Sequence, residues 1–321
     1  MNNFVLTHPR NVAASTAAAS QPGASFIAGG TTVIDLWKLG AFPATQLVDV
    51  NGLDLRGIEA GPAALRLGAL ERMNAVGEHA DVKKNYPVVS QALLLSASPQ
   101  IRNMGTMGGN LLQRPRSLAY RNPDPKRQDG PSRFDAIFGT TSFSRAPHPS
   151  DLAVALMALD ASVRISGPSD ATRTRTLKLS EFYRVPNDSL KFDSLQPGEL
   201  ITAIEARVPF AGRSAYVKIR DRASYQFAVV SAAVILDLNG NTIREARIAA
   251  GGVGTIPWRF PDTEAALAGR PATTESFAAA VASMDRGAVT HESNRFKIDL
   301  LRRTTLRALE AAIQTDTSAN T

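Results

Sequence analysis

The sequence predicts an α+β protein of two domains. Its 321 residues exceed what one hydrophobic core usually serves, so length alone points to two units. The first two-thirds mixes short strand and helix candidates interrupted by paired glycines. The last third sets three strand candidates ahead of a helical tail, the pattern of a separate α+β module.

In chain order, residues 13–19 are small and alanine-rich and read as a helix behind an extended N-terminus. Residues 25–28 read as a short apolar strand, which Gly29-Gly30-Thr31-Thr32 breaks. Residues 33–39 then carry apolar side chains three and four apart, as a helix does. Residues 46–50 and 65–68 read as strands and 88–95 as a helix. From Pro115 to Pro149 the chain is irregular, with prolines at 115, 123, 125, 131, 147 and 149. A loop this long inside a compact domain is usually functional or disordered. Helix resumes over 151–159 behind Ser150, a good N-cap, and 163–165 and 200–208 read as strands. Pro209-Phe210-Ala211-Gly212 is the expected boundary. The first domain is thus expected over 1–209, with a Pro/Arg-rich insertion at 115–147, and the second over 213–314. In the second, 215–219, 228–238 and 242–250 read as strands, the last two joined by the turn Asn239-Gly240-Asn241. Leu300, Leu301, Leu306, Leu309 and Ile313 give the tail one apolar face.

Hydrophobic residues are 44% of the chain and charged residues 20%, an ordinary globular balance. Lys and Arg number 36 against 29 Asp and Glu, a net charge of +7. That excess raises nucleic acid, a membrane surface or an acidic protein as partners. The basic residues are scattered and aromatics are only 6%, which argues against nucleic acid. Cysteine is absent, which excludes disulfides, cysteine nucleophiles and thiolate-held metal or iron–sulfur centres within the chain. His8, His79, His148 and His291 lie too far apart in sequence for metal-ligand spacing, so no metal site is expected. The longest apolar stretch, 227–238, is interrupted by Ser231 and Asp237 and is too short to span a bilayer. Met1-Asn2-Asn3-Phe4-Val5 lacks the features of a secretory signal. The expectation is a soluble cytoplasmic protein, reaching the periplasm only if a partner carries it.

Two segments carry chemistry. In Phe26-Ile27-Ala28-Gly29-Gly30-Thr31-Thr32-Val33-Ile34 a strand runs through paired glycines into a helix start. Glycines let backbone approach a ligand closely, and free N–H groups at a helix start favour a phosphate. The segment is neither a P-loop nor the Rossmann glycine fingerprint. In Gln100-Ile101-Arg102-Asn103-Met104-Gly105-Thr106-Met107-Gly108-Gly109-Asn110, glycines mixed with Asn and Thr again favour backbone donation. Arg102 is a candidate charge partner for a phosphate. Taken alone, each segment also fits a plain tight turn that satisfies its own backbone.

Together they resemble the FAD-binding subunit of the xanthine dehydrogenase/molybdenum hydroxylase family, as found in bacterial aldehyde oxidoreductases. His148-Pro149-Ser150-Asp151-Leu152-Ala153, Gly198-Glu199-Leu200-Ile201 and Tyr216-Val217-Lys218-Ile219-Arg220 extend the resemblance over most of the chain. It implies two α+β subdomains with FAD extended between them, as in vanillyl-alcohol-oxidase-type flavoproteins, and a small α+β C-terminal domain covering the flavin. By position, Phe26, Ile27, Ala28, Gly29, Gly30, Thr31, Thr32, Val33 and Ile34 would cradle the pyrophosphate. Gly105, Thr106, Gly109 and Asn110 would form a second wall, and Asp151 would hold the ADP part. Ile201 and Lys218 match positions lining the isoalloxazine, where Lys218 or Arg220 would stabilise charge on reduced flavin.

The aldehyde-oxidoreductase branch carries four cysteines in the insertion, and these bind an additional iron–sulfur cluster. Here the insertion has none; Ser117, Ser144 and Ser132 stand near the expected places, and serine is a poor iron ligand. No cluster is expected in this chain, whose insertion would be a docking surface or a loose loop. The resemblance implies an oxidoreductase subunit of a heterotrimer. A molybdenum-cofactor subunit and a [2Fe-2S] subunit would send electrons to the FAD here, and then to an external acceptor. No general acid–base constellation is visible, so no catalytic residue is assigned. Two other readings are a stand-alone flavin oxidoreductase of related fold and a basic interaction module built on the arginine-rich loop 114–145.

Overall fold

The computed structural model describes residues 3–122, 124, 130–168, 174–208 and 213–314. The boundary expected at 209–212 and the prolines at 123 and 125 lie outside the described residues. Three sheets organise the described residues. Val5–Thr7, Gln46–Asp49 and Ala24–Ile27 form a parallel three-stranded sheet with Gln46–Asp49 in the middle. The helices Val12–Ala19 and Val33–Lys38 accompany it. Ile58–Ala60, Leu65–Gly68, Leu200–Ala206, Ser162–Ser166 and Thr174–Lys178 form an antiparallel five-stranded sheet in that spatial order. Its companions include Pro87–Leu94 and Asp151–Ala158, the latter capped by the Ser150 hydroxyl accepting from the Ala153 amide at 3.0 Å.

The third sheet is antiparallel, in the order Trp258–Arg259, Thr242–Gly251, Val230–Asn239, Ser214–Ile219. Asn239 pairs with Thr242, and Gly240 takes φ +57° in the tight turn between them. Val230–Asn239 is apolar almost throughout because both of its faces are covered. Ala233 and Ile235 join the core shared with Asp151–Ala158 and Pro87–Leu94. Ala232, Val234 and Leu236 join a second core beneath the helix Lys297–Gln314. The period of two sorts neighbours to opposite cores.

Two expectations are corrected. The buried stripe of Lys297–Gln314 runs through Leu301, Thr304, Thr305, Ala308, Leu309 and Ala312, while Leu300, Leu306 and Ile313 only flank it. Small residues allow close packing on the sheet, so size rather than hydrophobicity chose the face. The insertion is also less irregular than its prolines suggest. Leu118–Arg121 is a short helix, Asp135 and Ala136 are buried, and Ile137 and Phe138 are packed into the second core. The amides of Ile137 and Phe138 both donate to the Val253 carbonyl, at 2.7 and 2.9 Å. The Phe138 ring stacks on Trp258 at 5.3 Å. Lys297, fully buried, donates to the carbonyls of Phe134, Asp135 and Gly252 at 2.9, 2.8 and 2.7 Å. An ammonium has three hydrogens for these three acceptors.

Candidate functional site

A cleft of about 1680 Å³ runs between the parallel sheet and the five-stranded sheet, and the loop after Ser214–Ile219 adds Arg222, Tyr225 and Phe227 to its lining. Phe26 and residues 28–33 form one wall. Ile27 and Ile34 do not reach it: Ile34 is exposed, and both side chains lie against Gly30 on the far side. Gly105, Thr106, Gly109 and Asn110 form part of the opposite wall.

The two glycine loops touch. A Cβ on Gly29 would fall 1.9 Å from the Met104 carbonyl oxygen and 3.2 Å from Gly105 Cα. Gly29 is therefore required by the approach of one loop to the other. Gly30 is required by its own backbone, at φ +69°. Among the described residues, nothing accepts the amide hydrogens of Gly29, Gly30, Thr31 or Thr32. Four consecutive amides open towards one cavity are donors in need of an acceptor. The following helix, six residues long, adds little dipole of its own, so the amides are the chief attraction for an anion.

A network behind the loops escaped sequence reasoning. Asn51 Nδ2 donates to the Ala28 carbonyl at 2.9 Å and to Asp49 at 2.7 Å. Arg72 bonds both Asn51 Oδ1, at 3.1 Å, and the Met104 carbonyl. One arginine thus ties the backs of both loops. Neither residue belongs to a glycine motif, so spacing gave no signal. In the second wall, Thr106 Oγ1 accepts from the Gly109 amide at 3.3 Å, and Asn110 Oδ1 accepts from the Ser150 hydroxyl.

Asp151 lines the cleft, but its oxygens are already engaged. Oδ1 accepts from the Tyr216 hydroxyl at 2.6 Å; Oδ2 accepts from Lys218 Nζ at 2.7 Å and Ser96 Oγ at 3.0 Å. The Lys218 side chain is 1% exposed and stands behind Asp151, outside the cleft lining. It also donates to the Leu95 carbonyl, as does Arg220, both at 3.1 Å. Burial, reinforced by Asp151, pushes the Tyr216 hydroxyl well above its usual pKa, so it stays a donor. Ile201 lines the cleft directly.

Arg102 is not available to a phosphate. Its guanidinium is buried, bonding the carbonyls of Leu94 and Ser96 at 3.1 and 2.9 Å and Asn74 at 3.3 Å, where it closes a helix end. Four described arginines of the insertion are similarly occupied. Arg116 and Arg121 reach Asp35 at 2.9 and 2.6 Å, Arg133 reaches Asp221 at 3.2 Å, and Arg145 reaches Asp135 at 3.2 Å. Arginines paired in this way contribute little to a basic interaction surface. No cluster of His, Asp or Glu suited to a metal occurs among the described residues.

A glycine-walled, amide-lined cleft between two α+β subdomains, with a third sheet beside its mouth, suits an extended phosphate-bearing ligand such as a dinucleotide. Family comparison agrees. Residues 2–211 match the FAD binding domain in molybdopterin dehydrogenase, and residues 214–312 match the CO dehydrogenase flavoprotein C-terminal domain. The chain belongs to this family of FAD-binding subunits. It is 40% identical over 317 residues to the aldehyde oxidoreductase FAD-binding subunit PaoB of Escherichia coli K12, covering 94% of this chain and 96% of that protein. The carbon monoxide dehydrogenase medium chain of Afipia carboxidovorans is 27% identical over 259 residues, 79% of this chain and 76% of that one. In fold, the chain resembles a carbon monoxide dehydrogenase of Hydrogenophaga pseudoflava that lacks the Mo-pyranopterin moiety of its molybdenum cofactor. That match has a TM-score of 0.77 at 24% identity and covers 98% of each chain. The protein is a flavoprotein oxidoreductase subunit, and its cofactor is FAD.

Proposed function

We propose that this chain is the FAD-carrying electron-transfer subunit of a molybdenum-containing aldehyde oxidoreductase. A molybdenum-cofactor subunit would perform the hydroxylation, a [2Fe-2S] subunit would relay electrons, and an external acceptor would collect them here. The observation that carries the reading is the contact of Gly29 with Met104, which brings two glycine loops together and leaves a row of open amides facing the cleft. That cradle fits a pyrophosphate. Bound FAD supplies the means of passing electrons one or two at a time. The chain's own task is then to bind and orient it.

In this assignment Gly29, Gly30, Thr31 and Thr32 donate to the pyrophosphate, and Thr106 and Asn110 hold the opposite wall in shape. Ile201 packs on the cofactor. Asp151 and Lys218 act as a buried, mutually neutralised pair that fixes the cleft floor, with Tyr216 and Ser96 holding the carboxylate. Partner chains supply the aldehyde site. The names of the relatives support this reading: PaoB is an aldehyde oxidoreductase subunit and a Sulfolobus acidocaldarius relative is a glyceraldehyde dehydrogenase medium chain.

The test is to produce the chain with and without its partner subunits. Bound FAD in both, and flavin bleaching on anaerobic addition of aldehyde only when the partners are present, is the expected result. Bleaching by a reductant substrate with the isolated chain would instead establish a stand-alone flavin oxidoreductase.

A further inference from the structure

Eight charged residues line the cleft: Asp35, Arg114, Arg116, Asp151, Lys191, Asp193, Glu199 and Arg222. Six are spent within the protein. Asp35 holds Arg116 and Arg121, Asp151 takes three donors, and Glu199 is gripped by Arg175 at 2.8 and 2.6 Å. Lys191 donates to the Leu195 carbonyl and Arg222 to that of Tyr225. Two remain. The Arg114 guanidinium makes no hydrogen bond or ion pair among the described residues; it rests over the Phe42 ring, 5.4 Å from the centroid. Asp193 accepts only the Leu195 amide, at 3.0 Å, on one oxygen. They feel each other's charge, yet no ion pair closes between them. Burial lowers the pKa of Arg114 and raises that of Asp193, so each would gain from a partner. Phe42, Tyr120 and Phe192 line the same end of the cleft.

A donor fork and an acceptor facing one cavity, beside aromatic rings, match a flat heterocycle whose edge alternates carbonyl and N–H. FAD has such an edge in the pyrimidinedione of its isoalloxazine, which presents C2=O, N3–H and C4=O. We propose that Arg114 and Asp193 together grip this edge, Arg114 donating to a carbonyl and Asp193 accepting from N3–H. The assignment rests on FAD occupying the cleft, and it adds the two residues that seat and orient the ring. Arg114 also places a fixed cation beside the carbonyls that gain negative charge on reduction, so it favours the reduced flavin. Asp193 gives specificity for the free imide, because a blocked N3 covers the free oxygen of this half-buried carboxylate without giving it a donor.

The experiment measures the affinity of the apoprotein for FAD and for N3-methyl-FAD by flavin fluorescence. It uses the wild type, Asp193→Asn and Arg114→Met; Asn keeps an oxygen for the Leu195 amide. The expected result is at least tenfold preference of the wild type for FAD, lost in Asp193→Asn. Arg114→Met should bind FAD with a midpoint potential below that of the wild type. Equal affinity for both flavins, or a preference that survives Asp193→Asn, overturns the proposal while leaving FAD binding intact. A wild-type preference for FAD over its N6-methyladenine analogue that is lost in Asp193→Asn places these residues at the adenine and also overturns it. Failure of the wild type to bind any FAD would strike the parent assignment instead.

Discussion

Gly29 and His148 show what single residues decide, one for the cleft and one for stability. Gly29 has no room for a methyl group against the Met104 carbonyl, a rigid backbone atom. Gly29→Ala must therefore separate the two loops, and FAD retention should fall at least tenfold, read as the flavin-to-protein absorbance ratio after gel filtration. Retention equal to wild type would show that the loops part without harm. His148 packs between Tyr183 and Phe192, with ring centroids 4.8 and 5.2 Å away, and burial holds its pKa down at about 3. Its ordinary value is about 6.5. Between those values the unfolded chain binds a proton that the folded chain refuses. Stability therefore rises with pH through this window and is lost as pH falls from about 6.5 towards 3. Each unit of separation is about 1.4 kcal/mol. The urea midpoint of the wild type should fall between pH 7 and 5 more steeply than that of His148→Gln; parallel slopes would count against a buried neutral imidazole.

Elements were legible where a period or a cap wrote them into the sequence. Ser150 announced its helix, and Asn239-Gly240-Asn241 announced a hairpin, because each rests on local chemistry. The helix Lys297–Gln314 was placed correctly but its buried face was misjudged, since Ala308 and Thr305 look neutral in a hydrophobic count. The glycine loops of the candidate site were legible as motifs; Asn51, Arg72, Arg114 and Asp193 were not, because lone polar residues acquire meaning only from tertiary neighbours. The joint between Asp151–Ala158 and Ser214–Ile219 illustrates this. Asp151 and Lys218 lie far apart in sequence, and their side chains are 6% and 1% exposed. Asp151→Ala strands a buried ammonium, at a cost of about 3–5 kcal/mol. Asp151→Leu combined with Lys218→Met should recover most of that in urea unfolding, because no charge is left behind. A double variant as unstable as the single one would mean that the hydroxyls of Tyr216 and Ser96, not the ion pair, govern the joint.

For the whole molecule, the net charge of +7 is expected to serve encounter with partner chains, since only three arginines, Arg114, Arg116 and Arg222, line the cleft among the described residues. Complementary charge chiefly speeds association. Binding to the partner subunits should slow as salt rises, since the reach of exposed charge is about 8 Å at 0.15 M ionic strength. FAD affinity should change far less. Interferometry at several salt concentrations, with flavin fluorescence alongside, separates the two. A salt-independent association rate would assign the basic excess elsewhere.

The Lys297 clasp bears on how such subunits can be recombined. Phe138 and Ile137 are encoded in the first half of the chain but complete the interior of the second half, where Val253 receives them and Lys297 clasps the neighbouring Asp135 carbonyl. The exchangeable unit is consequently not a contiguous stretch of gene. A hybrid that takes residues 213–314 from a relative inherits a socket without its plug, whereas one that also takes residues 132–148 inherits both. The second hybrid should melt higher than the first, although it carries more foreign sequence and one more pair of junctions.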